Sequence, residues 1–212
     1  MIEAARRNGV NASAVLDALA RVPREPFVLP AFRARAYEDT ALPIICGQTI
    51  SQPSTVGLMT QLLELEPGMK VLEVGTGSGY QAAVLAAMGA RVFTIERHAE
   101  LFAQARTVIA SLGLNVAFHR GDGSIGWSAY APYDRIIVTA GAPDVPPQLL
   151  AQLAVGGRMV IPVGGRERQR MHVVLRDSEG CNVYDHGEFA FVPLIGHTGW
   201  ASPEGSRTAQ ER

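Results

Sequence analysis

Val71-Leu72-Glu73-Val74-Gly75-Thr76-Gly77-Ser78-Gly79 is the stretch from which the fold can be read. A short apolar strand runs into a G-x-G-x-G turn, and residues 80–88 continue as a helical pattern. Glycines at such a junction allow a tight turn and a close approach of the backbone to a ligand. The helix start behind them offers unpaired N–H groups. Together they describe a nucleotide-type cofactor site on an α/β sheet. A dinucleotide fingerprint, G-x-G-x-x-G/A, would need Gly or Ala at position 80, but the residue there is Tyr80. A phosphate-binding P-loop would need Lys-Ser/Thr after the last glycine, and the chain gives Tyr80-Gln81.

From Pro67-Gly68 onward strands and helices alternate. Strand patterns fall at 70–74, 91–96, 116–119, 135–139 and 158–163, and helical patterns at 80–88, 99–112 and 147–153. This order predicts an α/β, doubly wound, mostly parallel Rossmann-like sheet with helices on both faces. Ile136-Ile137-Val138 and Met159-Val160-Ile161 suit strands buried on both sides. Residues 171–176 and 182–186, separated by Asp177-Ser178-Glu179-Gly180, read as an antiparallel C-terminal hairpin, with 188–194 as one more strand. Upstream lies an N-terminal helical extension. Its first helix carries the stripe Val15, Leu16, Leu19 and Val22, with Asn11 or Ser13 as its cap. A second helix spans 54–65. The expected organisation is one domain over 1–198: helices and a substrate loop in 1–66, the cofactor core in 67–165, and the last strands in 166–198. Residues 199–212 are expected to form a loose tail.

The bulk properties narrow the function class. A chain of 212 residues with 47% hydrophobic and 18% charged residues can bury one full core. Its net charge of −1 gives no electrostatic footprint for nucleic acid. Two cysteines, Cys46 and Cys181, fit a reducing compartment rather than a disulfide framework. The first residues lack the apolar stretch of a secretory signal, and no apolar run is long enough for a membrane span. A cytoplasmic enzyme is expected, as a monomer with a dimer as the other option. His98, His119, His172, His186 and His197 lack metal-ligand spacing, so no metal is expected.

Open α/β sheets bind ligands at the carboxyl ends of their strands. The first strand here ends in Gly75, Gly77 and Gly79, and Glu96 ends the second, 21 positions after Gly75. A carboxylate so placed can accept both hydroxyls of a ribose. Asp122-Gly123 follows the third strand, where the carboxylate can accept from an adenine amino group, and Thr139 ends the fourth. The turn, with Glu73 two residues before its first glycine, resembles motif I of the S-adenosylmethionine-dependent methyltransferases.

One branch of these enzymes matches more closely. Gly47-Gln48-Thr49-Ile50-Ser51-Gln52-Pro53, a helix, and then the glycine turn strongly resemble the protein-L-isoaspartate (D-aspartate) O-methyltransferase family. The likeness continues through Val22-Pro23-Arg24-Glu25-Pro26-Phe27-Val28, Gly121-Asp122-Gly123, 132–140, 156–164 and Phe191-Val192-Pro193-Leu194, roughly residues 14 to 194. It implies methyl transfer from S-adenosyl-L-methionine to the α-carboxylate of L-isoaspartyl residues in damaged proteins, leaving S-adenosyl-L-homocysteine. It also implies the site. The cofactor would meet Gln52, Glu73, Gly75, Thr76, Gly77, Ser78, Tyr80, Glu96, Arg97, Asp122, Gly123 and Thr139. The substrate would meet Gln48, Thr49, Ile50, Ala140, Val192, Pro193 and Leu194. The last two strands would be rearranged relative to the usual methyltransferase sheet. One departure is local: many family members carry Gly-x-Gly-Gln-Thr, whereas Ile45 stands here at the first glycine and Cys46 follows. That predicts a loop that is stiffer or opens differently, with Cys46 as a small packed apolar residue.

The chemistry agrees with a chain that has no obvious His/Asp or Cys/His pair. An α-carboxyl has a pKa of about 3.3–3.7, so the nucleophile is already ionised at neutral pH and needs no base. The enzyme must desolvate and aim it. Ser51 is the expected catalytic residue: a hydroxyl donates to a carboxylate without neutralising it. Two other readings compete, a small-molecule methyltransferase and a protein that binds the methyl donor without turnover. The expected partners are therefore isoaspartyl-containing proteins and peptides, with no nucleic acid and no membrane.

Overall fold

A computed structural model describes residues 1–202. The chain opens with α1 (Ile2–Arg7) and α2 (Ser13–Arg21). A hairpin of β1 (Leu42–Pro43) and β2 (Thr49–Ile50) then encloses a 3₁₀ turn, Ile45–Gly47, and leads into α3 (Pro53–Leu62). The alternating core follows: β3 (Lys70–Val74), α4 (Tyr80–Ala87), β4 (Arg91–Glu96), α5 (Ala99–Ser111), β5 (Val116–Arg120), β6 (Tyr133–Val138), α6 (Pro147–Gln152) and β7 (Leu153–Gly164). It closes with β8 (Gln169–Arg176) and β9 (Cys181–Phe189).

Seven strands form one sheet in the order β5-β4-β3-β6-β7-β8-β9. Those from β5 through β7 are parallel, and β8 and β9 return antiparallel. The last three strands are thus a simple meander, and the order that the sequence leaves open is settled by their ladder. The central strands are buried on both sides, as the apolar runs predict. In β6, Ile137 faces one core with Leu19, Met59 and Leu85, whereas Ile136 and Val138 face the other with Leu149 and Leu194. Strand side chains alternate between faces, so a strand covered on both must be apolar throughout. Each fully buried Leu or Ile contributes about 1.5–3 kcal/mol.

Five local expectations are corrected. A short helix, α1, precedes the one anticipated at the N-terminus. Neither Asn11 nor Ser13 caps α2, whose N-cap is Ala12. Instead Gln61 Oε1 accepts from Asn11 N and Ala12 N at 2.7 and 2.8 Å, so α3 anchors the chain just before α2 from across the fold and leaves the helix without a side-chain cap. The strand expected over 188–194 does not form. Residues beyond Phe189 leave the sheet, Pro193 lacks a donor, and the segment makes one parallel bridge with Gly141. Cys46 is exposed rather than packed, at φ 59°, because it sits at the tip of the β1–β2 turn. Of the expected loose tail, Trp200 is tied down, its N donating to Leu194 O at 2.7 Å. Residues 203–212 lie outside the described residues.

Candidate active site

The strand order reverses at β3, which has β4 on one side and β6 on the other. A cleft opens there at the carboxyl ends of the strands, where ligands of such sheets bind. Its floor is the glycine turn. Gly75, Gly77 and Gly79 have φ of 97°, 54° and 92°. Gly75 is fixed doubly, since a Cβ there would also lie 2.5 Å from Thr139 Oγ1. That hydroxyl donates to Gly75 O at 2.6 Å, binding the end of β6 to the turn. On the other side Gly75 N and Thr76 N donate to Ile95 O at 2.9 and 3.1 Å. The backbone is therefore held open toward the cleft without a side chain in the way.

Glu96, at the end of β4, is 5% exposed and faces the cleft. Its Oε2 accepts from Gly77 N at 2.8 Å and its Oε1 from His98 N at 2.9 Å. These donors fix the carboxylate in place, and its remaining lone pairs can accept a diol. Ser78, Tyr80, Arg97, Gly123 and Thr139 complete this half of the wall. An S-adenosyl group fits the arrangement: a carboxylate for the ribose, a glycine floor for the methionine moiety, and the apolar side chains of Val74 and Ile95 beside it.

Three residues expected at the cofactor lie elsewhere than on the cleft wall. Glu73 is wholly buried behind the turn. Thr94 Oγ1 donates to its Oε2 at 2.5 Å, and Thr94 in turn bonds Thr76 Oγ1 at 2.6 Å. Burial pushes its carboxyl up to about 8. Gln52 is the N-cap position of α3, and its Nε2 donates to Ser54 Oγ at 2.9 Å. Asp122 lines a shallow depression beside the cleft with Arg97, Ile195 and Trp200. Its carboxylate accepts from Ser124 N and Oγ at 2.9 and 2.7 Å and from His197 N at 2.7 Å.

The mouth of the cleft has two lips. Gln48, Thr49, Ile50 and Ser51 form one, delivered by the β1–β2 hairpin just before α3. Among the described residues the Ser51 hydroxyl has no hydrogen-bond partner, while the Ser51 carbonyl accepts from Arg24 Nη2 at 2.6 Å. The second lip is Ala140 with Val192, Pro193, Leu194 and Ile195. Gly141 N donates to Val192 O, and Leu194 N donates to Gly141 O, both at 2.8 Å. Phe191 N donates to Gln169 Oε1 at 2.8 Å. The segment is thereby held extended along the cleft.

A profile described as Protein-L-isoaspartate(D-aspartate) O-methyltransferase (PCMT) matches residues 1–199. The chain belongs to this family. A protein-L-isoaspartate O-methyltransferase from Salinibacter ruber is 52% identical over 206 residues, covering 92% of this chain and 90% of that one. One from Rhodospirillum rubrum is 53% identical over 194 residues, covering 90% and 89%. A solved protein-L-isoaspartate O-methyltransferase superposes with TM-score 0.83 at 30% identity, covering 93% of this chain and 66% of that one, so the chain spans just under two thirds of that structure. A candidate member from Plasmodium falciparum, solved with S-adenosyl-L-homocysteine, shares the fold at TM-score 0.80 and 24% identity over 92% of this chain.

Family membership explains which cleft residues the sequence reading overlooked. Val56 and Met59 line the cleft from α3 while also being core, so their helical stripe reads only as packing. Gln81 and His98 follow directly on motif residues and carry no signal of their own. Arg24 lies inside a quoted family segment, but nothing in sequence spacing connects it to Ser51.

Proposed function

We propose that the protein transfers a methyl group from S-adenosyl-L-methionine to the α-carboxylate of L-isoaspartyl residues in damaged proteins. The observation that carries this reading is the cleft itself. A glycine floor and a ribose-accepting carboxylate at one end meet, at the other, a free serine hydroxyl facing an extended backbone segment.

When bound, S-adenosyl-L-methionine supplies an electrophilic methyl on a sulfonium, and the C–S bonding pair leaves on sulfur as a carboxylate oxygen takes the methyl. Gly75, Thr76, Gly77, Ser78 and Tyr80 hold the donor, and Glu96 accepts its ribose hydroxyls. Ser51 donates to one carboxylate oxygen, orienting the other while leaving it anionic. No proton has to move. Alignment of this kind can supply about 7–11 kcal/mol of the barrier. Val192, Pro193 and Leu194 border an extended substrate backbone in the manner of strand addition. The Pro193 carbonyl offers an acceptor there, because the main-chain groups of Val192 and Leu194 are turned to Gly141. The hydrophobic lining excludes water from the reacting oxygen. The product ester has a better leaving group than the ionised carboxylate. The neighbouring backbone nitrogen then closes a succinimide with loss of methanol, and hydrolysis returns some normal aspartate.

Two exposed free thiols support a reducing compartment such as the cytoplasm. No helix among the described residues is long and apolar enough to cross a membrane.

The test uses two synthetic peptides that differ only in one linkage, L-isoaspartyl against L-aspartyl, incubated with methyl-labelled S-adenosyl-L-methionine. Base-labile label on the isoaspartyl peptide alone is the expected result. Label on neither peptide, with S-adenosyl-L-homocysteine still bound by the protein, would sink the assignment.

A further inference from the structure

Arg24 is the largest fully buried side chain of the protein, at 0% exposure. Burial lowers its pKa to about 10, so the guanidinium remains charged at neutral pH. Among the described residues no carboxylate lies within ion-pair distance of it. Its Nη1 is buried with no hydrogen-bond partner. A buried cation that is neither paired nor fully hydrogen-bonded costs stability, and an apolar residue of similar volume often serves a core better. A purely structural account therefore leaves Arg24 unexplained.

Two of its contacts reach the active site, and a third ties it to the N-terminal segment. Nε donates to Ala36 O at 2.9 Å, and Nη2 donates to Ser51 O at 2.6 Å. The guanidinium lies 4.6 Å from the centroid of the Tyr80 ring, at the first residue of α4 and directly behind the glycine turn. One cation thus grips the main chain of the serine loop and rests on the residue that follows the cofactor turn. A charge-assisted hydrogen bond is about twice as strong as a neutral one. The Ser51 carbonyl is one Cα away from the hydroxyl offered to the substrate. Fixing that carbonyl limits the rotation that would swing the hydroxyl out of line.

We propose that Arg24 is a positioning residue for methyl transfer: it holds the Ser51 main chain against the cofactor turn so that the serine hydroxyl meets the substrate carboxylate in register. The inference rests on the isoaspartyl methyltransferase reading given above and adds a second, untouching residue to its machinery.

A double-mutant cycle tests it in the full-length protein. Arg24→Gln, Ser51→Ala and their combination are compared with wild type for kcat on an isoaspartyl peptide, and for S-adenosyl-L-homocysteine affinity by calorimetry. Arg24→Gln is expected to lower kcat by roughly 10–100-fold, the scale of a 1 Å misplacement, with the S-adenosyl-L-homocysteine Kd changed less than about twofold. In the Ser51→Ala background the same substitution is expected to change kcat less than about twofold, because residues acting as a unit are not additive. Equal loss in both backgrounds, or a Kd that weakens in parallel with kcat, overturns the proposal. Arg24→Lys, which keeps a cation in nearly the same volume, takes its place if Arg24→Gln fails to fold. Amide exchange over residues 50–54 gives a readout that needs no turnover. It is expected to quicken in the Arg24 variants, and unchanged exchange overturns the proposal even if the wild type proves inactive on isoaspartyl peptides. Inactivity of the wild type would instead count against the assigned reaction.

Discussion

At the scale of single residues, Glu73 shows how a motif can be recognised and its role still misplaced. The sequence puts an acid two residues before the first glycine and suggests contact with the cofactor. In the sheet, Glu73 pairs with Thr94 on β4 and points to the face that α4 covers, away from the cleft. Its Oε1 has no partner, and burial raises its pKa to about 8. The link to the turn runs through Thr94 and Thr76 instead. Strand alternation decides this, and an acid in a motif does not announce which face it takes. The raised pKa has a signed consequence. Below the unfolded value near 4.5 both states hold the proton and Glu73 contributes no penalty. As pH rises toward 8 the unfolded state ionises first, so stability falls, with a slope of at most about 1.4 kcal/mol per pH unit. Above that pH the penalty is complete. Urea midpoints measured from pH 5 to 8.5 should fall for the wild type and fall less for Glu73→Gln, which keeps the shape without the charge. Identical slopes in the two proteins would remove Glu73 as the source.

At the scale of elements, the second lip of the cleft depends on one glycine. Gly141 receives and gives the two bonds that hold Val192 and Leu194, and a Cβ on it would lie 2.7 Å from Gln169 Cδ. Gly141→Ala must therefore push Gln169 away from Phe191 N, at an overpacking cost of about 1–3 kcal/mol. The expected outcome is a several-fold higher KM for an isoaspartyl peptide with unchanged affinity for S-adenosyl-L-homocysteine. A parallel loss of both would place the damage in the cofactor half. Residues 188–194 read as one strand, but only Glu188 and Phe189 pair in the sheet, at the end of β9. Beyond them the apolar alternation meets one glycine and one side-chain amide. The hairpin of β8 and β9 was legible because a polar four-residue turn separates two alternating runs. Helix α3, which follows Ser51, was legible as a stripe, but its anchoring was not. Arg135 Nη2 donates to Glu64 O at 3.0 Å and Arg158 Nη1 to Leu62 O at 3.1 Å, both reaching from the sheet to the end of the helix. The end of this helix is therefore held by side chains distant in sequence.

At the scale of the whole molecule, the alternation of strand and helix was open to a single reading, because buried parallel strands must be apolar throughout. The way residues 24, 51, 80, 96, 141 and 193 come together was not, because they lie on separate turns, hairpins and crossovers whose relative placement no local pattern encodes. Ligand binding should tie these distant parts into one cooperative unit. At a concentration of S-adenosyl-L-homocysteine 100 times its Kd, linkage adds about 2.7 kcal/mol to stability. For a chain of this size that corresponds to a rise in Tm of roughly 5–10 °C, read by calorimetry as one shifted transition. A transition that splits in two would mean that the lips fold apart from the core. The strap from Phe191 to Trp200 has a further consequence, in time rather than space. Translation delivers the glycine floor and Glu96 early, but residues 191–200 leave the ribosome only after every strand of the sheet. A nascent chain can therefore shape the nucleoside half of the cleft before the segment that borders a peptide has been made.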